Sequence, residues 1–414
     1  MILMPAPLFS LLLAAFPQED HVCSSPPSVV ESVRLFDGER VVPGATVVFH
    51  CNEILGVFED GSEFDLPNDA LRIDGRGKTL LPGLIDAHVH TQQRAALERT
   101  LDFGVTTVLD MGSAVEGFVR SIREEDERGP ATDRADLFSA VLWVTAPRSH
   151  GTQFGEVPTL VEPEDAAAFV AARVEDGAAF IKVIYDNFKM IRRPVPTLSE
   201  ETMRATIRAA HEQGRMAVVH SRDVDSYADV VEAGADGFVH LPTDAVPSDE
   251  LIGAMVEQGM FVSPNLSLAR HEGLRLIEDP ILGPKLSEEE IENLRDWFPG
   301  RQEFGDEIEY ATLIALHDAG VPVLAGSDAP NGGTIVGATL HMELELLVEA
   351  GLTPLEALRA ATSEPAATFD LADRGRIAVG LRADLLLVEG APDRTITDTR
   401  RIVGIWKAGQ RRAN

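Results

Sequence analysis

The feature of this sequence that most constrains its fold is an alternation of short apolar strands with helical segments between residues 84 and 370. Apolar residues run almost unbroken through each strand, which is typical of strands buried on both faces by helices. Eight such strands can be counted, at residues 84–90, 106–112, 137–146, 180–186, 216–221, 237–242, 260–267 and 321–330. The pattern predicts an α/β fold in which residues 81–370 form a (β/α)8 TIM barrel, with an open doubly wound sheet as the alternative.

Helix start signals agree with this alternation. Thr353 stands as an N-cap residue before Pro354 at a first helical position, and Ser199 precedes two glutamates in a first turn. The segments that flank the predicted barrel, residues 27–80 and 371–414, instead contain short strands separated by Gly and Asp turns. Neither segment can bury a core by itself, so we expect them to join as one small discontinuous β-sandwich domain.

The N-terminus carries an apolar run of the length found in secretory signals, with Ala14 and Ala15 near a possible cleavage point. It predicts a signal peptide at residues 1–20 and a periplasmic or secreted protein. The run lacks a basic start, which leaves a cytoplasmic location as the alternative. Two cysteines, Cys23 and Cys51, allow one disulfide, which an oxidising compartment would favour.

The net charge of the chain limits the classes of molecule that it can bind. The chain has 36 Lys and Arg against 67 Asp and Glu, a formal net charge of −31. A surface this acidic repels nucleic acid and anionic membranes. No later apolar run approaches the ~20 residues that span a bilayer. We expect a small-molecule substrate, no nucleic-acid partner, no integral membrane segment in the mature chain, and a homo-oligomer.

Residue types that bind metals stand near the C-terminal ends of four predicted strands. His88 and His90 are two apart on the first strand and therefore project from one face of it. His220, His240 and Asp328 end the fifth, sixth and eighth strands. Each could singly be a core histidine or a turn-forming aspartate. If the barrel closes, however, they meet at one mouth, and together they predict a metal site.

Lys182 lies in the fourth strand among Phe180, Ile181 and Val183. An unpaired ammonium in so apolar a strand is costly, and burial lowers the pKa of a lysine toward the neutral amine. A neutral amine can add carbon dioxide to become a carbamate, whose two oxygens can bridge two cations. The alternative is that Lys182 pairs with a nearby carboxylate.

These residues carry a family resemblance. The motifs LPGLIDAHVHT, FIKVIYD, VVHS, FVHLP and LAGSDAP occur in order and are followed by RGRIAVGLRADLLLVEG. Together they resemble the amidohydrolase superfamily of metal-dependent hydrolases, in its prolidase-like and imidazolonepropionase-like branch, over residues 27 to 410. The resemblance implies two divalent ions, most often zinc. One would be held by His88, His90 and Asp328, the other by His220 and His240, with carboxylated Lys182 between them.

The resemblance also implies the chemistry. Two close ions give a bridging hydroxide at neutral pH, which attacks an amide carbonyl while Asp328 moves a proton to the departing amine. Mononuclear deaminases of the superfamily need a glutamate near the strand-five histidine, where this chain has Ser221 and Arg222. Together with Lys182, this argues against a deaminase and against imidazolonepropionase itself, because the latter resembles the mononuclear, lysine-free pattern.

The loops that follow the strands should determine the substrate specificity. Candidate substrate-binding residues in these loops are His150, which is also the candidate to contact the reacting carbonyl, with Arg148, Tyr185, Arg192, Arg193 and Arg222. Cations at the mouth of an acidic protein suggest a substrate carboxylate, although each arginine could equally be a solvated surface residue. We therefore expect a hydrolase of dipeptides or N-acyl amino acids. A lactonase would use the same metals, and a non-catalytic scaffold would have lost ligands that this chain retains.

Overall fold

The computed structural model describes residues 25–60, 62, 68–113, 115, 117–188, 194–270, 272–296 and 306–413. The predicted signal peptide and Cys23 lie outside these residues. Cys51 is disulfide-bonded. Among the described helices, none combines the length and the apolar character that crossing a bilayer requires.

Strands and helices alternate through the middle of the chain, and the fold class is α/β as predicted. The strands are β1 Ser28–Phe36, β2 Val41–His50, β3 Glu53–Glu59, β4 Leu71–Asp74, β5 Lys78–Pro82, β6 Leu84–Val89, β7 Val105–Asp110, β8 Asp136–Ser139, β9 Ile181–Ile184, β10 Ala217–His220, β11 Gly237–Val239, β12 Phe261–Ser263, β13 Leu385–Glu389, β14 Ile402–Lys407 and β15 Gln410–Arg411. The helices are α1 Arg94–Asp102, α2 Phe118–Asp126, α3 Ala166–Glu175, α4 Glu200–Glu212, α5 Val224–Glu232, α6 Asp249–Gln258, α7 Leu266–Arg270, α8 Gly273–Glu278, α9 Glu288–Arg295, α10 Asp306–Ala319, α11 Ala338–Ala350, α12 Pro354–Ala360 and α13 Ser363–Thr368.

Two parallel sheets occupy the segment predicted as a barrel. One contains β6, β7 and β8, and the other contains β9, β10, β11 and β12 in that order. Backbone hydrogen bonds also join the sheets. Ser139 accepts a bond from Ala179, just before β9, and Val144 bonds to Lys182 and Ile184 within β9. Residues 322–329 bond to β12 on one side and to β6 and His90 on the other. Backbone hydrogen bonds and isolated bridges therefore connect the two sheets whose strands lead to the candidate ligands.

Three predicted strands differ from the structure. β8 ends at Ser139 instead of residue 146, and β12 ends at Ser263 because Pro264 follows and the next residues turn into α7. The predicted eighth strand, residues 321–330, makes isolated bridges at Val323 and Ala329 but forms no regular strand. Its two prolines lack the amide hydrogen that a continuous ladder needs.

The predicted helix starts are confirmed. The Ser199 side chain accepts a hydrogen bond from the Thr202 amide at the start of α4. Thr353 does the same for Glu356, which closes a capping box with Pro354 at the first helical position of α12.

Strands from both ends of the chain share one eight-stranded sheet. Its order is β15, β14, β13, β5, β1, β2 and β3, with β4 paired to β1. The pairing of β13 with β5 is antiparallel and joins the C-terminal segment to the N-terminal one. Leu35, Phe49, Leu80 and Trp406 belong to a separate apolar cluster on this sheet.

A buried group of charges links this sheet to the parallel strands. The Lys407 amine at the end of β14 lies 2.8 Å from Oδ2 of Asp136 and 2.7 Å from Oδ2 of Asp384. Arg374 and Arg382 also contact the Asp136 carboxylate. Burial opposes the charge on Asp136, but these three cations outweigh it and lower the pKa of the carboxyl.

Replacing Lys407 by methionine tests how strongly this group holds the two parts together. The substitution leaves two buried carboxylates with one cation fewer, so we expect the free energy of unfolding to fall by about 3 kcal/mol. Urea unfolding of the two proteins measures the difference. A change within about 0.5 kcal/mol, the range of ordinary surface substitutions, would show that the group contributes little.

Candidate metal centre

The imidazoles of His88 in β6 and of His90, the residue after β6, meet the carboxylate of Asp328. The Nε2 atom of His88 lies 3.4 Å and that of His90 3.2 Å from Oδ1 of Asp328. The two Nε2 atoms are 3.3 Å apart. Strand geometry explains the pair, because residues two apart project from one face. Asp328 is brought to them by the backbone, since its amide donates to the carbonyl of His88 at 2.7 Å.

His220 at the end of β10 and His240, the residue after β11, lie beside this group. His240 Nε2 is 3.5 Å from Oδ2 of Asp328, and the rings of His220 and His240 have centroids 4.4 Å apart. Ligand atoms of His88, His240 and Asp328 all lie within 4.8 Å of one another, close enough to contact a bound cation. His220 Nε2 lies 3.4 Å from Oδ2 of the buried Asp186.

Lys182 is buried at the centre of the same region. Its side chain is 2% exposed, and among the described residues its Nζ has no hydrogen-bond partner. Burial lowers the pKa of the amine to about 7, although the charge of Asp328 acts in the opposite direction. A large fraction of the amine is therefore neutral near pH 7, the form that reacts with carbon dioxide.

Burial lowers the pKa of His90, but its contact with Asp328 outweighs burial and raises that pKa. At the other ligands the electrostatics favour an ionised Asp328 among neutral imidazoles. Burial raises the pKa of the Asp328 carboxyl, but His88, His90 and Lys182 lower it by more than burial raises it. The net shift of this pKa is downward. Burial lowers the pKa of His88, His220 and His240, so these rings are neutral at pH 7. Neutral imidazole and ionised carboxylate are the forms that bind metals.

A cavity of about 540 Å³ opens directly onto these groups. Its metal-type lining residues are His90, Lys182, His220, His240 and Asp328. Arg148, His150 and Arg222 also line it, together with the aromatic rings of Trp143, Phe154 and Phe188. The His150 ring lies 5.0 Å from that of His220, and burial lowers the pKa of His150 to about 3. The structure thus brings three predicted substrate-binding residues to the predicted metal ligands.

Tyr185 differs from its prediction. Lys182 and Ile184 line the cavity from β9, whereas Tyr185 is not among the described lining residues. Side chains alternate along an extended chain, so the residue after Ile184 projects away from the cavity. The Tyr185 hydroxyl instead donates a 2.8 Å hydrogen bond to Asp229. Arg192 and Arg193 lie outside the described residues.

Sequence reasoning missed several residues that hold the centre together. Oδ1 of Asn265 lies 2.9 Å from Nδ1 of His88. Asp86 accepts hydrogen bonds from the Ser327 hydroxyl and amide, at 2.6 and 3.0 Å, and so ties β6 to residues 322–329. Asp86 stands two residues before His88, on the same strand face, which is a signal that could have found it.

The donor set suits a divalent cation. Imidazole nitrogens and a carboxylate converge on a small buried volume, and a buried amine beside them is without a hydrogen-bond partner among the described residues. Such nitrogen and oxygen ligands are typical of zinc, and Mn, Co or Ni can also use them. A cation would supply partners for polar atoms whose burial is otherwise costly.

Comparison with known proteins agrees with this geometry. A model of the amidohydrolase family matches residues 79–412. The imidazolonepropionase of Paracoccus denitrificans is 28% identical to this chain over 362 residues, which cover 78% of this chain and 83% of that protein.

Two solved structures share the fold. A Xaa-Pro dipeptidase with methionine bound in its active site matches with a TM-score of 0.76 at 23% identity, over 94% of this chain and 100% of that one. A putative prolidase from Bifidobacterium longum matches with a TM-score of 0.74 at 24% identity, over 94% and 95%. Since the family model covers most of the sequence, the chain belongs to the amidohydrolase family.

Proposed function

We propose that this protein hydrolyses an amide bond with two divalent metal ions, most simply zinc. His88, His90 and Asp328 would hold one ion, and His220 and His240 the other. Lys182, carboxylated on Nζ, would bridge them. The observation that carries the proposal is the buried Nζ of Lys182, which has no hydrogen-bond partner among the described residues and lines the cavity with His220, His240 and Asp328.

The same proposal includes a closed (β/α)8 barrel over residues 81–370. Support comes from the backbone bonds of residues 322–329 to β12 and β6, and of residues 139–144 to β9, which connect the two parallel sheets on both sides. In this arrangement the C-terminal ends of the strands form one mouth. The eight-stranded sheet supports one small β-domain from residues 27–80 and 371–414, and its β-sandwich form stays a prediction.

The metal ions would supply an activated water and polarisation of the scissile carbonyl. Asp328 would take a proton from the attacking water and deliver it to the leaving nitrogen, because its ionised carboxylate faces the cavity. His150, neutral at pH 7 and on the cavity wall, would donate a hydrogen bond to the carbonyl oxygen. The aromatic wall would exclude bulk water from the reacting groups.

The substrate class follows from the lining. Its aromatic and apolar side chains suit an apolar group, and Arg148 and Arg222 suit a carboxylate. Relatives bear the names imidazolonepropionase and Xaa-Pro dipeptidase, and both names describe enzymes that act on carbon–nitrogen bonds. Lys182 favours the dipeptidase type, so we propose dipeptides or N-acyl amino acids as substrates.

The experiment that tests this function is turnover by metal-loaded protein of a library of Xaa-Pro and other dipeptides, N-acyl amino acids and lactones. We expect hydrolysis of members that carry an amide bond and a free carboxylate. Turnover of lactones alone would reject the amide-hydrolase proposal. The Asp328→Asn protein, prepared in parallel, identifies any contaminating peptidase.

Two single variants test carboxylate recognition. If Arg148 or Arg222 binds a substrate carboxylate, replacing that arginine by methionine should lower kcat/KM about 10- to 100-fold, since a hydrogen bond to a charged group is lost. The loss should be confined to substrates with a free carboxylate and be absent for their carboxamide analogues. Equal losses on both kinds of substrate, or none in either variant, would contradict the assignment.

Export remains part of the proposal. The disulfide at Cys51 supports a periplasmic or secreted location, because disulfides persist in oxidising compartments. N-terminal sequencing of the protein from its natural source measures whether residues 1–20 are removed. The homo-oligomeric state stays a prediction.

A further inference from the structure

The Asn265 side chain contacts the ring nitrogen of His88 that faces away from Asp328. The His88 imidazole is 1% exposed, and its Nδ1 lies 2.9 Å from Oδ1 of Asn265. Its Nε2 faces Asp328 and His90. A metal-binding imidazole must present one nitrogen without a hydrogen, and the hydrogen-bond partner of the other nitrogen decides which one that is.

The orientation of the Asn265 amide follows from its other contacts. Its Nδ2 lies 2.9 Å from the carbonyl oxygen of Gly326 and 3.3 Å from the hydroxyl of Ser263. A carbonyl can only accept, so the amide nitrogen faces Gly326 and the amide oxygen faces His88. That oxygen can only accept as well. The hydrogen of His88 is therefore on Nδ1, and the lone pair of Nε2 points toward the candidate metal site.

The backbone at Asn265 is fixed by a residue from a distant helix. Asn265 has φ of +56°, a conformation that asparagine adopts more readily than most residues. Glu343 of α11 accepts hydrogen bonds from the next two amides, at 2.9 Å from Leu266 and 2.7 Å from Ser267. Both Asn265 and Glu343 are fully buried. The carboxylate thus holds the turn that presents the Asn265 side chain.

Gly326 shows how closely these groups pack. A Cβ atom added there would lie 2.5 Å from the Ser263 hydroxyl, 2.7 Å from Cβ of His88 and 2.8 Å from Nδ2 of Asn265. Contacts this short do not occur between real atoms, so the position requires glycine. Little room is left for His88 or Asn265 to turn.

We propose that Asn265 is a positioning residue for His88, fixing the imidazole so that Nε2 binds a metal ion, and that Glu343 holds Asn265 in place. The inference rests on the proposed metal centre. Neither residue lies among the described lining of the cavity, so both would act through His88 and not on the substrate.

Zinc titration of metal-free protein against a chromophoric chelator tests this role without any substrate. We expect two zinc equivalents in the wild-type protein. Asn265→Leu, which keeps the size of the side chain but loses the acceptor, should weaken one equivalent about 10- to 100-fold. Asn265→Asp keeps an accepting oxygen for His88, and when its other oxygen is protonated it can still donate to the Gly326 carbonyl. It also tolerates the positive φ, so it should bind both equivalents nearly as the wild type does. Relative to the cobalt-loaded wild type, the visible spectrum should change more in Asn265→Leu than in Asn265→Asp.

Several outcomes would overturn the inference. It is wrong if the leucine variant binds both zinc equivalents as tightly as the wild type, or if the aspartate variant loses as much affinity as leucine. Thermal unfolding of the metal-free proteins measures the strain of leucine at a positive φ separately. Should Asn265→Leu not fold, Glu343→Met replaces it, because methionine removes both oxygens that accept from the Leu266 and Ser267 amides. Unchanged zinc binding in that variant also contradicts the inference. Failure of the wild-type protein to bind zinc would instead reject the proposed metal centre itself.

Discussion

Lys182→Met should lower kcat by more than about 100-fold and remove one metal equivalent, while the metal-free protein remains as stable as the wild type or becomes more stable. A lost bridging ligand costs more than a lost supporting residue, which is commonly worth about 10- to 100-fold. Stability should not suffer, because methionine has a similar volume and removes a buried amine whose burial is costly. Steady-state kinetics, metal analysis and thermal unfolding measure the three quantities.

The dependence on carbon dioxide separates a carbamate from an ordinary lysine. Metal-free wild-type protein reconstituted in carbonate-free buffer should regain little activity, and added bicarbonate should restore it. Lys182→Met should not respond to bicarbonate. Lys285→Met, a replacement far from the cavity lining, serves as the control and should reconstitute like the wild type. Full reconstitution without bicarbonate would show that Lys182 acts unmodified or not at all.

Asp328→Asn should lower kcat about 10²- to 10⁴-fold, the usual contribution of a group that moves protons in the rate-limiting step. Asparagine keeps the shape of the side chain and the oxygen that accepts from Asn331. It also tolerates the φ of +52° at this position, so the fold should persist. What it loses is the negative charge and the ability to carry a proton.

A matched control is available for this variant. Asp370 also has a positive φ, of +53°, but lies exposed and away from the cavity lining. Asp370→Asn should therefore retain wild-type kcat and KM. If Asp328→Asn kept more than a tenth of the activity in fully metal-loaded protein, Asp328 would not be the group that moves the proton.

The sequence alone predicted the elements of the centre because strand periodicity is short-range. His88 and His90 share a face by their spacing of two, and His220 and His240 end strands that pair in register. Burial of Lys182 followed from its apolar neighbours. These inferences needed only the direction of each strand and the rule that parallel strands end on the same side.

Other features depend on contacts between distant residues and could not be read from local patterns. The hydrogen bond between Asn265 and His88 joins residues 177 positions apart in the sequence. The one between Glu343 and Leu266 joins residues 77 positions apart. The irregular segment 321–330 looks like a strand by composition, but its two prolines lack amide hydrogens and Asp328 has a φ of +52°, outside the extended region. Tyr185 follows β9 and is not among the described lining residues, because successive residues of an extended chain face opposite sides.

The measurement that tests the central claim most directly is anomalous X-ray diffraction at the zinc edge from crystals of the zinc- and bicarbonate-treated protein. We predict two anomalous peaks, one among His88, His90 and Asp328 and one at His220 and His240, with density for a carboxyl group on Nζ of Lys182 between them. A single peak, or an unmodified Lys182 turned away from the metal, would contradict the account.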